Sequence, residues 1–516
     1  MRRLTFVLFL LTLGVLGKQT DVSLAQSTPA LCDNGLAGAY PCDQVDLLAQ
    51  LDLVALGSSY DRRDGTGAWW WGNDIWGWTD PETGTEYALV GTWEGVSFVD
   101  LSVPSAPVYV GMLPTTQDRG VVTNMGNLWR DIKTSGSFAY VVSEAPGHGL
   151  QVFDLRRLRS VTAPPVEFEA DAVYEEAGSA HNVIASDGLD VVAVAGHASS
   201  DLRCLTGLLL IDVSAPTNPR YAGCFDDDDY THDAQCIVYD GPDPDYQGRT
   251  VCFGSNTTLL SISDITDPAR TDAISTAIYP NAAFVHQGWL TEDRRFFYMN
   301  DEGDDGAPDI GGTRTIVMNV EDLDNPFYVG AHIAPITATD HNHYIHGDLL
   351  FQANYQSGLR IYRLDAANPT DFTPVGFFDT YPEGDAFTFD GAWSVYPFFE
   401  SGLVIVSDQQ RGLFVLQPDV TAVSAEGLPD QAEPSLSAAY PNPFSQQTTL
   451  ALTLDTPERV RAEVYDLLGR RVATLLDGTV DAASLTLDGT TLPSGTYVVR
   501  AVGETFVETR RVTRAR

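Results

Sequence analysis

Between about Asn73 and Pro418 the apolar residues fall into short runs separated by turn residues, and one run recurs. It opens on Gly, continues through four mostly apolar positions and closes on Asp: Gly95 to Asp100, Gly149 to Asp154 and Gly207 to Asp212. Weaker copies follow at Leu259–Asp264, Ile316–Asn319, Gly358–Leu364 and Gly412–Leu416. Markers spaced roughly 45–60 residues apart have the period of a propeller blade of four strands. The third copy shows the unit most plainly. Strands are predicted at His181–Ala185, Leu189–Gly196, Gly207–Val213 and Arg220–Phe225, with a turn at Ser186 to Gly188. Pro-rich segments such as Pro104 to Pro107, Pro216 to Pro219 and Asn325-Pro326 follow the marker strands. Proline lacks the N–H that a ladder needs, so these are turns. The pattern therefore predicts an all-β chain: a seven-bladed β-propeller over 73–418, with six or eight blades left open by the weaker markers. The seventh unit lacks an obvious fourth strand. A segment before Asn73 or just after Pro418 has to supply it, because ring closure removes exposed sheet edges.

The flanks read differently. Residues 26–72 form an N-terminal segment in which the apolar spacing over 42–60 predicts a short helix. Residues 419–437 are polar and turn-rich, as in a linker. Residues 438–516 alternate again, at Thr448–Leu454, Val460–Tyr465 and Tyr497–Val502, and predict a small C-terminal β-sandwich. At the start, Arg2 and Arg3 precede an apolar run, Leu4–Leu16, and a small-residue site ends at Ala25. That is a signal peptide over 1–25. No later run is long enough for a transmembrane span.

Composition changes the picture in two ways. The formal net charge is −40 and the only lysines are Lys18 and Lys133. No basic face is visible, so nucleic acid is excluded as a partner, whereas divalent cations are electrostatically favoured. Six cysteines in an exported chain imply disulfides. Cys236 and Cys252 flank a Gly-Pro-Asp-Pro-Asp turn and Cys204 and Cys224 flank a Pro-rich one, which leaves Cys32 with Cys42.

Several motifs carry a resemblance. Asp74-Ile-Trp-Gly-Trp-Thr-Asp80, Trp129-Arg-Asp-Ile132, His232-Asp-Ala-Gln-Cys236, Asp340-His-Asn342 and Gly391-Ala-Trp-Ser-Val395 resemble LVIVD-repeat proteins of the choice-of-anchor B family. That resemblance implies display outside the cell and no particular chemistry. Ala439-Tyr-Pro-Asn-Pro-Phe444, Val464 to Arg470, Leu492 to Tyr497 and the basic end Arg510–Arg516 resemble the C-terminal sorting domain, type A, of the type IX secretion system. It implies that residues 438–516 engage that machinery and that the chain is secreted or held at the outer-membrane surface of a bacterium.

The chemistry-bearing residues fall into one column and two runs. His181, His232, His286 and His341 each open a blade, at steps of 51, 54 and 55 residues. Carried to other blades, the column reaches Asp390, Asn73 and Trp129 or Arg130, with His343 adjacent. Innermost strands put such a column at one mouth of the channel, where imidazoles can hold zinc or another transition metal. The competing structural reading has each His bonded between blades. Asp226–Asp229 and the stretch with Asp301, Asp304 and Asp305 offer clustered oxygens for calcium or are hydrated loop tips, with Asp226 and Asp228 the ligands in the first. Trp69–Trp71, Trp76, Trp78 and Trp93 form either a sugar-stacking platform or packing between blades. No nucleophile elbow, zincin motif or nucleotide loop is present, so no catalytic residue is assigned. Two functions stand side by side: an extracellular module binding an unknown ligand or protein, and a metal-dependent hydrolase or lyase with its ion in the His-lined mouth.

Overall fold

The computed structural model describes residues 27–58, 72–116, 129–197, 204, 206–228, 230–304 and 310–420, and most of 435–515. The expected signal peptide, Trp69–Trp71, Asp229, Asp305 and most of the expected linker lie outside the described residues. The chain divides into two compact units, Met1–Ala425 and Glu426–Arg516.

The first unit holds seven sheets among its described residues, each with a core of four antiparallel strands. Blade 3 is typical, with Asn182–Ile184, Val191–Ala195, Leu208–Asp212 and Arg220–Phe225 in sequential order from the inside outward. The innermost strands are Gly72–Thr79, Arg130–Ser135, Asn182–Ile184, Asp233–Val238, Val285–Leu290, Asn342–His346 and Ala392–Tyr396. Each neighbours the next, and the last neighbours the first, so the ring closes. This is a β-propeller. Middle strands such as Phe296–Asp301 are buried throughout, because both faces pack on neighbouring blades. Stacked rings bridge the blades: Phe98 on Phe153 at 4.8 Å and Phe253 on Phe297 at 5.6 Å. Each such buried Phe contributes about 1.5–3 kcal/mol.

The fourth strand of blade 7 comes from the N-terminal segment. Val45–Leu51 pairs antiparallel with Gly412–Pro418, and its residues alternate buried and half-buried. In place of the helix expected over 42–60, the described residues 42–58 hold the end of one strand, the strand Val45–Leu51 and a turn. The segment's apolar residues satisfy both periods locally, and the open edge of blade 7 supplies a ladder that a lone helix would forgo. Tyr40–Asp43 adds to the outer edge of blade 6, where Cys42 faces Phe378. The disulfides Cys32–Cys42, Cys204–Cys224 and Cys236–Cys252 form as expected. The recurrent Gly has a steric cause. At Gly207 an added Cβ would lie 1.8 Å from the Phe225 carbonyl oxygen, and at Gly412 it would lie 2.3 Å from that of Leu51. The marker strand and the outermost strand touch there, and only Gly fits.

Among its described residues the second unit holds one antiparallel sheet of five strands. Its long strands, Gln447–Asp466 and Arg471–Asp488, break register near Thr453 and Glu458. Leu450, Leu452, Val460, Val464, Val499 and Val512 share its buried core.

Candidate functional site

The column of histidines converges. The four side chains follow one another around one end of the channel, with ring centroids 4.6 Å apart from His181 to His232, 4.3 Å to His286 and 4.3 Å to His341. They line a cavity of about 400 Å³. Three of them share one hydrogen-bond pattern. Nδ1 of His232 donates to the His286 carbonyl at 2.8 Å, that of His286 to the His341 carbonyl at 3.2 Å, and that of His341 to the Trp393 carbonyl at 2.5 Å. A carbonyl only accepts, so each Nδ1 carries the proton and each Nε2 keeps its lone pair. His181 Nδ1 lies 2.6 Å from Glu144 Oε1.

The competing reading, histidines bonded between blades, thus describes one nitrogen of each ring correctly. It leaves the other nitrogen for the cavity. Ligand atoms of His181, His232 and His286 lie within 4.8 Å of one another, as do those of His286, Glu302 and His341. Tetrahedral zinc requires nitrogen pairs roughly 3.3 Å apart, closer than the 4.8 Å limit these two groups meet, and the two groups share only His286. Burial and the adjoining imidazoles push His232 and His286 well below the usual range, and burial pushes His341 down to about 3. Burial acts on His181 in the same direction, but the Glu144 carboxylate outweighs it and holds that imidazole above its usual value.

Other expected members are elsewhere. Asp390 accepts from Gln410 and does not line the cavity; Trp393 occupies the blade 7 position instead. Like His286, Trp393 is the second residue of its inner strand and sits at a register shift, a signal that aligning on Asp390 missed. Asn73 does occupy the matching place in blade 1 but is fully buried outside the cavity. Trp129 of blade 2 stacks on Trp393 of blade 7, centroids 4.6 Å apart. Arg130 turns away, with Nη1 3.1 Å from His148 Nε2. His343 Nε2 donates to the Tyr298 carbonyl outside the cavity.

The acidic runs have structural partners. Asp301 accepts from Tyr279 Oη and from the amides of Ala283, Phe284 and Gly303, which fixes Phe284 in the cavity wall. Asp304 is paired with buried Arg314. Asp228 accepts from Ser261 Oγ, and Asp226 lies beside the Cys204–Cys224 disulfide. Glu302, between Asp301 and Asp304 in sequence, is the member that reaches the site: its Oε1 is 3.7 Å from His341 Nε2 and accepts from Tyr355 Oη at 2.7 Å.

Three residues further along the inner strands, Trp76, Trp289, Tyr344 and Tyr396 pack together with Phe398. Trp76 and Trp78 donate to Thr134 and to the Gly136 carbonyl, and Trp93 is buried, so these three serve packing. Lys133 lies 4.7 Å from the Trp76 ring centroid, bonded to Asp131 and Asp74. Burial alone would lower it, yet the two carboxylates hold it well above its usual range.

The sequence matches agree with this architecture. Residues 85–115 and 205–227 match the LVIVD repeat, and residues 438–513 match the secretion system C-terminal sorting domain. The chain carries LVIVD repeats and a secretion sorting tail. That tail indicates export through the type IX machinery to the cell surface or beyond, and the three disulfides agree with such a compartment. Among the described residues no helix is long and apolar enough to cross a membrane. No curated protein matches the sequence. Similar solved structures include the β-propeller domain of Cps50 (Swd1) from Myceliophteria thermophila, at 11% identity and TM-score 0.41 over 65% of this chain and 94% of that one. A protein from Lactobacillus plantarum is similar at 12% identity and TM-score 0.42, over 80% and 98%.

Proposed function

We propose that the propeller of this exported protein is a binding module that holds one divalent transition-metal ion in its channel mouth, on His181, His232, His286 and His341. The observation that carries the proposal is the tautomer pattern: backbone carbonyls of successive blades take the Nδ1 protons and leave Nε2 lone pairs for one cavity. Imidazoles whose other nitrogen is tied to a carbonyl or carboxylate are the usual form of metal-ligating His. Nitrogen donors favour zinc, iron or copper over calcium, which takes oxygen. Glu302 beside His341 favours a second reading, a metal-dependent hydrolase or lyase in which that carboxylate accepts a proton.

Elemental analysis of the purified chain tests the proposal. About one equivalent of zinc, iron or copper per chain is expected, lost in a His232→Ala/His286→Ala variant whose circular dichroism is unchanged. A folded chain that takes up none of the three ions when each is supplied, or a variant that retains the metal, refutes it.

A further inference from the structure

We infer that the same cavity receives an uncharged aromatic ligand, a one- or two-ring phenol or catechol, laid against its ring-lined walls with its hydroxyls toward Glu302 and the histidines. The charge part of this inference rests on the metal-site reading above. Its core is the chemistry of the lining. Twelve side chains form the wall, and every one except Glu144 and Glu302 carries a ring. Beyond the four histidines these are Trp129, Tyr230, Phe284, Tyr355, Phe389 and Trp393. No aliphatic side chain, Lys or Arg is among the described lining residues.

Such a wall presents π faces and edges in several orientations. Trp129 and Trp393 are stacked, with 21° between their planes, while Phe389 meets Tyr355 edge-on at 5.4 Å. Aromatic pairs gain from offset-stacked or edge-to-face contact beyond the area they bury, so a flat ring is favoured over an aliphatic one of equal size. The volume, about 400 Å³, lies at the small end of ordinary ligand pockets. Phe389 is 43% exposed and Phe387 44%, with their rings 6.4 Å apart, and they leave apolar surface where a ligand would enter. Charge narrows the class further. Two carboxylates balance one divalent ion, so a neutral ligand adds no net charge to the site. An organic anion would leave the two carboxylates and the ion with excess negative charge, and an ammonium ion would leave them with excess positive charge. Phenolic hydroxyls donate to a carboxylate, which only accepts.

Titration calorimetry with 4-methylcatechol on the metal-analysed full chain tests this inference, using benzoate, cyclohexane-1,2-diol and tetramethylammonium as comparisons. Saturable binding of the catechol is expected, with each comparison compound at least about tenfold weaker. Phe389→Leu keeps apolar bulk at a half-exposed position and should weaken catechol binding about three- to tenfold, Phe389→Tyr should restore it, and neither should change metal content. Catechol binding equal in Phe389→Leu and the parent, equal affinity for the diol, or preference for tetramethylammonium overturns it. Metal content on the same samples separates the two proposals. A metal-loaded chain that ignores the catechol refutes this inference alone. A metal-free chain that binds it with the Phe389 dependence refutes the metal site and leaves the aromatic pocket standing.

Discussion

Acid should destabilise the propeller through a histidine outside the cavity. His148 is fully buried; its Nδ1 donates to the Gly149 carbonyl at 2.8 Å and its Nε2 accepts from Arg130 Nη1. Both nitrogens are committed to the neutral ring, and a proton on Nε2 would place two buried cations 3.1 Å apart. Burial first, and the Arg130 guanidinium second, push its pKa from 6.5 down to about 3. The unfolded imidazole binds a proton near pH 6.5, so between the two values the unfolded state holds more protons. Stability therefore falls as pH falls through that window. Between pH 7 and pH 4.5 this residue alone should remove about 2.5 kcal/mol, at a limiting slope of about 1.4 kcal/mol per pH unit. The assay is urea unfolding followed by tryptophan fluorescence at several pH values, for the parent and for His148→Gln. Glutamine accepts from Arg130 but does not titrate. The variant should be less stable at pH 7 by about 1–3 kcal/mol, through an imperfect buried bond, and the two stability curves should converge as pH drops. Curves that stay parallel from pH 7 to pH 4.5 would refute the reasoning, because the difference isolates one titrating group.

Gly412→Ala should lower stability by about 1–3 kcal/mol, since φ is +82° and the new Cβ meets the Leu51 carbonyl at 2.3 Å; thermal melting reads it directly, and an unchanged melting temperature contradicts the contact. Replacing Cys236 and Cys252 together by Ser opens a loop with a sequence separation of 16 and should cost about 3 kcal/mol in urea unfolding. No change would mean that the paired strands of blade 4 hold the loop without the bridge.

Much of the fold was legible in the sequence because the blade is a local object. Four sequential strands pair with their immediate neighbours, so Gly207 to Asp212 or Gly149 to Asp154 declares a blade without reference to the rest. Closure is non-local. Val45–Leu51 pairs with a strand more than 360 residues away, and its short apolar pattern satisfied a helical period as well as a strand one. The candidate site divides in the same way. The histidine column was visible because equivalent positions in repeated blades must share an axis. Glu302 looked like one carboxylate in an acidic loop, and Glu144 was marked only by its place in the connection after Ser143, a location without a chemistry.

By itself the sequence determined the class of fold, the disulfide pairs, the export signals and the four histidines, because each is written in local spacing or composition. Tertiary structure alone decided which nitrogen of each imidazole is free, which carboxylates stand beside them and that Trp393, not Asp390, completes the ring in blade 7. Those facts depend on contacts between adjacent blades, where an imidazole meets a backbone carbonyl about 50 residues away in sequence at hydrogen-bond distance, and single-chain periodicity carries no record of them.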